Sequence, residues 1–147
     1  YILSSGVSSR MHDNLVMKQK VFSKIQTYLG EDFDASLFYV KAFLNDSIDY
    51  SFAEESIFNE LNSLSSLLIS EKELNKVQKK NESALRFSLL NNSHKAIDLA
   101  VGATLGNPNL INDDFNNFKS ISRIDILTEA KKIFCRSNCT SLYYGKM

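Results

Sequence analysis

Val21-Phe22-Ser23-Lys24-Ile25-Gln26-Thr27-Tyr28-Leu29 is the stretch on which the fold turns. Upstream of it Met11, Leu15 and Val16 recur at helical spacing, and Ser8 or Ser9 stands where a helix running to Gln19 would need a cap. After Gln19 the period drops to two. Val21, Ile25 and Leu29 share one face with Ser23 and Thr27 between them, and Phe22 and Tyr28 lie on the other. Gly30-Glu31-Asp32-Phe33-Asp34 has the chemistry of a turn. Alternation resumes from Leu37 to Leu44, with Phe38, Val40, Ala42 and Leu44 on one face. The two runs predict an antiparallel hairpin, 21–29 against 35–44.

Downstream the helical period returns. Ser51-Phe-Ala-Glu54, Ser70-Glu-Lys-Glu73 and Ser122-Arg-Ile-Asp125 read as capping boxes, in which the serine takes an orphan N–H and the acid reaches back. The first leads into a stripe of Ile57, Leu61, Leu64 and Leu68. The second opens a polar helix with Leu74 and Val77 inward, ending apolar at Leu85, Leu89 and Leu90. Ser93 starts a further helix with Ala96, Ile97, Ala100, Val101 and Leu105, which Gly106 and Pro108 stop. The segment 105–117, rich in Asn, Asp, Gly and Pro, is the loosest of the chain. The third box leads into Leu127, Ala130, Ile133 and Phe134, and 140–144 reads as a closing strand. Helices grouped beside a hairpin predict an α+β fold, an antiparallel or mixed sheet with helices packed on one face.

With 147 residues, 44% apolar and 23% charged, the chain has the composition of one globular domain and not of a disordered segment. Lysine plus arginine and aspartate plus glutamate both number 17, so the basic excess of a nucleic-acid binder is missing. No apolar run reaches the ~18 residues of a membrane-spanning helix. The chain opens on Tyr1-Ile2-Leu3 and not on Met, which reads as a piece of something longer.

The residues that could carry chemistry are few. Cys135 and Cys139 flank Arg136-Ser137-Asn138, and His12 and His94 lie far from them and from each other. A catalytic zinc takes three protein ligands and a structural one four, so this set supplies too few. The simplest expectation for the cysteines is two buried or half-buried side chains at a helix-to-strand corner; a strained local disulfide is the less favoured alternative. Asn-x-Ser/Thr triplets begin at Asn45, Asn81, Asn91 and Asn138, but 14 Asn and 20 Ser make such triplets a matter of composition. Arg10 reads as a structural arginine tying down a helix start, ahead of a contact to a neighbouring lobe or peptide. Lys72, Lys76, Lys79 and Lys80, interrupted by Glu71, Glu73 and Glu82, read as a solvated helix face. Phe38, Tyr39, Phe43, Tyr143 and Tyr144 are expected in core packing rather than around a ligand.

The order of elements and several local strings resemble the insulinase-type zinc metallopeptidases, the family of pitrilysin and the mitochondrial processing peptidases. The later lobe of that family carries a string of the form I-L-G-G-G-x-S-S-R-L, which Ile2-Leu3-Ser4-Ser5-Gly6-Val7-Ser8-Ser9-Arg10-Met11 resembles. A helix and hairpin follow, as in 15–44, with Leu37-Phe38 in the position of the family's G-L-F. Ser70-Glu71-Lys72-Glu73-Leu74 resembles its T-x-E-E-L helix start. Its closing pattern is matched by Ile121-Ser122-Arg123-Ile124-Asp125-Ile126, by Ala130-Lys131-Lys132-Ile133-Phe134 and by Asn138-Cys139-Thr140-Ser141-Leu142-Tyr143. The resemblance spans almost the whole chain and implies a single domain over 1–147, entered midway and so incomplete at its N-terminus. An unpaired edge left by that gap implies self-association, hence a homo-oligomer.

The departures decide what the resemblance implies about function. The family's zinc is held by an inverted H-x-x-E-H helix of the first lobe together with a distant Glu. No H-x-x-E-H occurs here: Asp13-Asn14-Leu15-Val16 follows His12, and Lys95-Ala96-Ile97-Asp98 follows His94. The family's substrate-holding Arg and Tyr fall at Val16 and Ser23, and neither residue replaces a guanidinium or a phenol. The resemblance therefore implies a non-catalytic later lobe that walls a chamber and helps position a peptide. It implies no catalytic or metal-binding residue on this chain, and zinc on the parent or partner lobe. Its implied partners are that catalytic lobe or subunit and the peptide substrate, with no nucleic acid and no membrane. Family habit implies a bacterial cytoplasm or periplasm. The alternatives are a structural core-subunit-like domain without a peptidase role and an unrelated α+β interaction domain.

Overall fold

The computed structural model describes residues 1–30 and 35–145. Residues 31–34 of the expected turn lie outside the described residues. In chain order the elements are a π-helix at His12–Lys18, β1 at Phe22–Leu29, β2 at Phe38–Leu44, α1 at Tyr50–Ser66, α2 at Glu71–Ser88, α3 at Asn92–Thr104, α4 at Leu110–Ser120, α5 at Arg123–Ile133 and a short 3₁₀ turn at Arg136–Asn138. The chain divides into two compact units, Tyr1–Leu67 with Leu127–Met147, and Leu68–Ile126. The class is α+β, as the hydrophobic periodicity predicts.

In the first unit β1 and β2 pair antiparallel, from Leu29 opposite Phe38 to Phe22 opposite Leu44. The expected hairpin is therefore present. Its register carries one irregularity, between Phe22 and Lys24, where Ser23 is the extra residue. That bulge corrects the sequence reading of the faces. Val21 and Phe22 are both buried, so Phe22 does not share the exposed face of Tyr28, and Leu29 at the far end of the strand is exposed. Beyond the bulge alternation holds, with Phe38, Val40, Ala42 and Leu44 on the more buried face of β2 and Tyr39, Lys41 and Phe43 on the exposed one. The core of this unit is Leu3, Met11, Leu15, Val21, Phe22, Ile25, Ala53, Phe58, Leu61, Leu64 and Ala130. At about 1.5–3 kcal/mol for each large side chain removed from water, this cluster is the main stabilising term of the unit.

The helix before β1 is wound wider than the α-helix the spacing predicts. Gln19 N–H donates to Asn14 C=O at 2.9 Å, five residues back, and Lys18 pairs with Asp13 at 2.5 Å, also five apart. Met11 and Leu15 still point inward, so the apolar face is kept. Neither Ser8 nor Ser9 caps it: the helix has no side-chain cap, and Ser9 is buried with its hydroxyl donating to Gly6 C=O at 2.6 Å.

Two helix starts also differ from the sequence reading. Asp49, not Ser51, caps α1, its carboxylate accepting from Ser51 and Phe52 N–H at 2.9 and 3.2 Å. Asn91, not Ser93, caps α3 in the same way. The boxes at Ser70 and Ser122 stand. Ser70 accepts from Glu73 N–H, and Ser122 and Asp125 bond reciprocally. The apolar stripe of α1 also ends early. Leu67 is extended after Ser66, so Leu68 is thrown outward, Phe58 takes a buried place the spacing does not single out, and Ile57 is half-buried.

In the second unit Leu74 is buried on α2 and Val77 is half-buried. Gln78 donates to the carbonyls of Phe118, Lys119 and Ile121 at 3.4, 3.3 and 3.1 Å, serving C=O groups at the end of α4 that have no partner inside that helix. Arg123 pairs with Glu71 at 2.9 Å and donates to Ile69 C=O at 3.4 Å. Gly102 is where α3 meets the chain that follows it: a Cβ there would lie 2.8 Å from Asn107 O. The segment expected to be loosest, 105–117, contains the first eight residues of α4. Its Asn residues build the entry instead, with Asn109 N–H on Asn107 Oδ1 at 3.0 Å and Asn112 on Asn109 Oδ1 at 2.6 Å.

Candidate functional site

The string Ile2–Met11 is a tight loop laid against β1. Gly6 has φ of 95°, a conformation that favours glycine, and Arg10 and Met11 N–H return to Ile2 and Leu3 C=O at 3.1 and 2.8 Å. Leu3 is buried under the loop. Ser4 reaches β1, where its Oγ accepts Thr27 N–H at 2.7 Å. Arg10 is half-buried and its Nη1 donates to Ser63 Oγ on α1 at 3.5 Å, in keeping with a structural role at the start of the helix.

The positions aligned with the family's substrate-holding pair sit on this scaffold. Val16 is half-buried on the π-helix. Ser23 is exposed at the bulge, its hydroxyl donating to Phe43 C=O at 3.2 Å. Next to Ser23 lies the open face of the hairpin, formed by Lys24, Gln26 and Tyr28 on β1 and Tyr39, Lys41 and Phe43 on β2. Tyr28 and Tyr39 are directly opposite and stack, with ring centroids 5.0 Å apart and planes 17° apart. The Lys41 ammonium stands 5.5 Å over the Phe43 ring. The aromatics expected in core packing are thus not core residues, which corrects the sequence expectation: Tyr39, Phe43, Tyr143 and Tyr144 are exposed, and Phe38 is half-buried against Phe134 with centroids 5.0 Å apart. The correction has a simple cause. For Tyr39 and Phe43, alternation gives β2 two faces and only one of them meets helices, whereas Tyr143 and Tyr144 lie outside the two strands.

The segment 140–145 forms no strand among the described residues, against the expected closing strand. Its hydroxyl groups turn to α1. Ser141 and Tyr143 both donate to Glu54, and the Tyr143 ring packs on Tyr50 with centroids 5.2 Å apart. Those two hydroxyls, Ser141 first, and then nearby Arg136 hold the Glu54 carboxyl below the usual carboxylate range. Partial burial, then the Glu54 carboxylate, push the Tyr143 phenol up. Arg136 pairs with Glu55 and lies 4.4 Å over the Phe58 ring.

Cys135 and Cys139 are free thiols and both are exposed, so the expectation of buried cysteines fails. They bracket a 3₁₀ turn that follows α5, where a helix-to-strand corner was expected. His12 belongs to the first unit, with a buried Nδ1 that has no hydrogen-bond partner among the described residues. His94 is exposed in the second unit, on a groove of about 610 Å³ lined by Leu85, Leu89, Ile97, Val101 and Leu105. Among the described residues no three of His, Cys, Asp and Glu are grouped so as to hold a metal ion. No helix among them is long and apolar enough to cross a membrane.

A helix, bulged hairpin and long helix introduced by the Ile2–Met11 loop define the class by fold, an α+β lobe. The chain belongs to the peptidase M16 inactive-domain family, whose model matches residues 1–81, just over half its length. Among solved structures it is similar to a "putative zinc protease" of Bordetella pertussis Tohama I, with a TM-score of 0.81 and 24% identity over 93% of this chain and 76% of that one. It is also similar to the inactive peptidase domain of a "putative zinc protease" of Bordetella parapertussis, with a TM-score of 0.83 and 23% identity over 93% and 74%. A protease of Helicobacter pylori gives 0.85 and 20% over 93% of this chain and 33% of that one. At these identities the likeness is one of fold. A search of curated proteins finds no match.

Proposed function

We infer that this chain is the lobe that closes a peptide-binding chamber beside a catalytic zinc lobe, and that it helps to position the peptide without supplying catalytic groups. The observation that carries this reading is the inactive-domain match over residues 1–81, the stretch that contains the Ile2–Met11 loop, the hairpin and the start of α2. The open hairpin face supports it: Tyr28, Tyr39 and Phe43 offer apolar area and Lys24 and Lys41 offer charge to an extended chain. The zinc and the Glu that activates its water belong to the partner lobe in this reading. The partner is a catalytic lobe or subunit of the same family and the substrate an unstructured peptide. The loss of the substrate-holding pair at Val16 and Ser23 favours one second reading, a structural subunit with no role in cleavage.

The test is reconstitution. This chain is mixed with a zinc-loaded catalytic lobe of the same family and source, and hydrolysis of a quenched unstructured peptide is followed with and without a chelator. The chain alone is expected to carry well under one zinc and to cleave nothing. Together the two are expected to associate and to cleave faster than the catalytic lobe alone, with the gain abolished by the chelator. Association without any gain in rate would select the structural reading, and no association would remove both.

A further inference from the structure

We propose that Cys135 and Cys139 are a thiol–disulfide exchange site, which low-molecular-weight disulfides of the glutathione class convert to an intramolecular bridge. The two thiols are free and exposed, and three residues separate them. Those three form a single 3₁₀ turn, closed by Asn138 N–H on Cys135 C=O at 3.0 Å, which folds the chain back between the cysteines. Both cysteines have extended backbone, with φ, ψ of −120°, 140° and −133°, 142°, so neither side chain is held against a helical turn. The segment is held through Arg136, which pairs with Glu55 and lies over the Phe58 ring, and through Ser141 and Tyr143 on Glu54, so none of these contacts engages either thiol.

The exchange balances in two steps. One protein thiol loses its proton and its sulfur attacks R–S–S–R, forming a protein–S–S–R mixed disulfide and releasing one R–S⁻, which takes up a proton. The second protein thiol, likewise deprotonated, attacks the protein sulfur of that mixed disulfide. The 135–139 bond forms, the S–S bond to R breaks, and a second R–S⁻ leaves and is protonated. Two protein thiols are oxidised and one small disulfide is reduced to two thiols. The resolving step is intramolecular across one turn, so it outpaces attack by a second protein chain. The exchange itself calls on no peptidase residue: it uses only the two thiols that flank the turn after α5.

The full chain, first reduced and freed of reductant, is incubated with oxidised glutathione, and its free thiols and intact mass are followed. The expected product has lost both thiols and two hydrogen atoms, carries no glutathione, stays monomeric on non-reducing gels and regains both thiols with dithiothreitol. Cys135→Ser and Cys139→Ser, each at an exposed position, are expected to stop at one stable glutathione adduct. Two unreacted thiols, a wild-type product carrying two glutathiones, or a disulfide-linked dimer as the main product would each overturn the proposal. Since the wild-type measurement decides the matter alone, misfolding of a variant would not obscure it.

Discussion

The Ser4 hydroxyl accepts the Thr27 amide N–H at 2.7 Å and shares a second hydrogen bond with the Thr27 hydroxyl, also at 2.7 Å. This pair joins the loop that carries the family string to the middle of β1, across 23 residues of sequence. A backbone donor left part-buried and unpaired costs more than the bond it loses. Ser4→Ala is therefore expected to destabilise the chain by about 1–2 kcal/mol in urea unfolding, within the range for one orphaned group. Thr27→Val keeps the amide bond and is expected to cost less. Equal effects from the two variants would mean that the amide bond contributes nothing.

The helix starts give a second test, on which the sequence and the structure disagree. Serine at 51 satisfies the capping-box pattern, yet the orphan N–H groups of α1 are taken by Asp49. Asp49→Ala is expected to cost about 1 kcal/mol, the usual effect of removing an N-cap, and Ser51→Ala to stay within about 0.5 kcal/mol. Thermal unfolding of the two variants side by side reads the difference. The reverse order would restore the capping box at Ser51.

What the sequence made legible follows from which signals are local. The hairpin was visible because alternation from Val21 to Leu44 is a property of neighbouring residues, and the boxes at Ser70 and Ser122 because each closes within four residues. The bulge at Ser23 was not, because an extra residue in one strand shows only against its partner, and it moved Phe22 from the open face to the core. The π-winding of His12–Lys18 keeps the same inward residues as an α-helix, so period alone does not separate the two. Asn107, Asn109 and Asn112 read as a loop because the residues that favour loops are also those that start helices. In the candidate site the string Ile2–Met11 was legible as a motif, while the aromatic face of the hairpin was misread as core. Nothing in one sequence says which face of a strand the helices cover.

Gly102 gives a third prediction, this time in the second unit. The chain after α3 folds back so closely that an alanine Cβ would stand 2.8 Å from Asn107 O and 3.2 Å from Pro108 Cα, both of them backbone atoms. Backbone cannot swing away as a side-chain tip can, so α3 and the turn at 107–108 must separate. Gly102→Ala is expected to destabilise by about 1–3 kcal/mol, as overpacking does, although alanine is the better helix former. Hydrogen exchange should show the loss first at the Asn107 amide, which donates to Gly102 C=O at 2.8 Å. A gain in stability would show that helix propensity outweighs the close approach.

The last prediction concerns the tail on α1. Ser141 and Tyr143 donate to the Glu54 carboxylate, and those hydroxyls, with nearby Arg136, lower its pKa. A carboxyl whose folded pKa is depressed contributes stability that is complete above its unfolded value and is lost as pH falls through the folded one. The phenol of Tyr143 is pushed the other way, so its contribution holds below the ordinary tyrosine range and is lost as pH rises through the raised value. The tether is thus expected to hold from the ordinary carboxylate range up to the tyrosine range and to release in acid below the usual glutamate pKa. Tyr50 reports on it, because its ring packs on Tyr143 at 5.2 Å. In NMR spectra the Tyr50 ring signals should move toward free-tyrosine positions as the wild type is acidified. Glu54→Gln, which keeps an acceptor oxygen but no ionisable proton, should show no such step. A wild-type step at the ordinary glutamate pKa would mean that the hydroxyls do not hold the carboxylate, and the same step in Glu54→Gln would assign the release to another group.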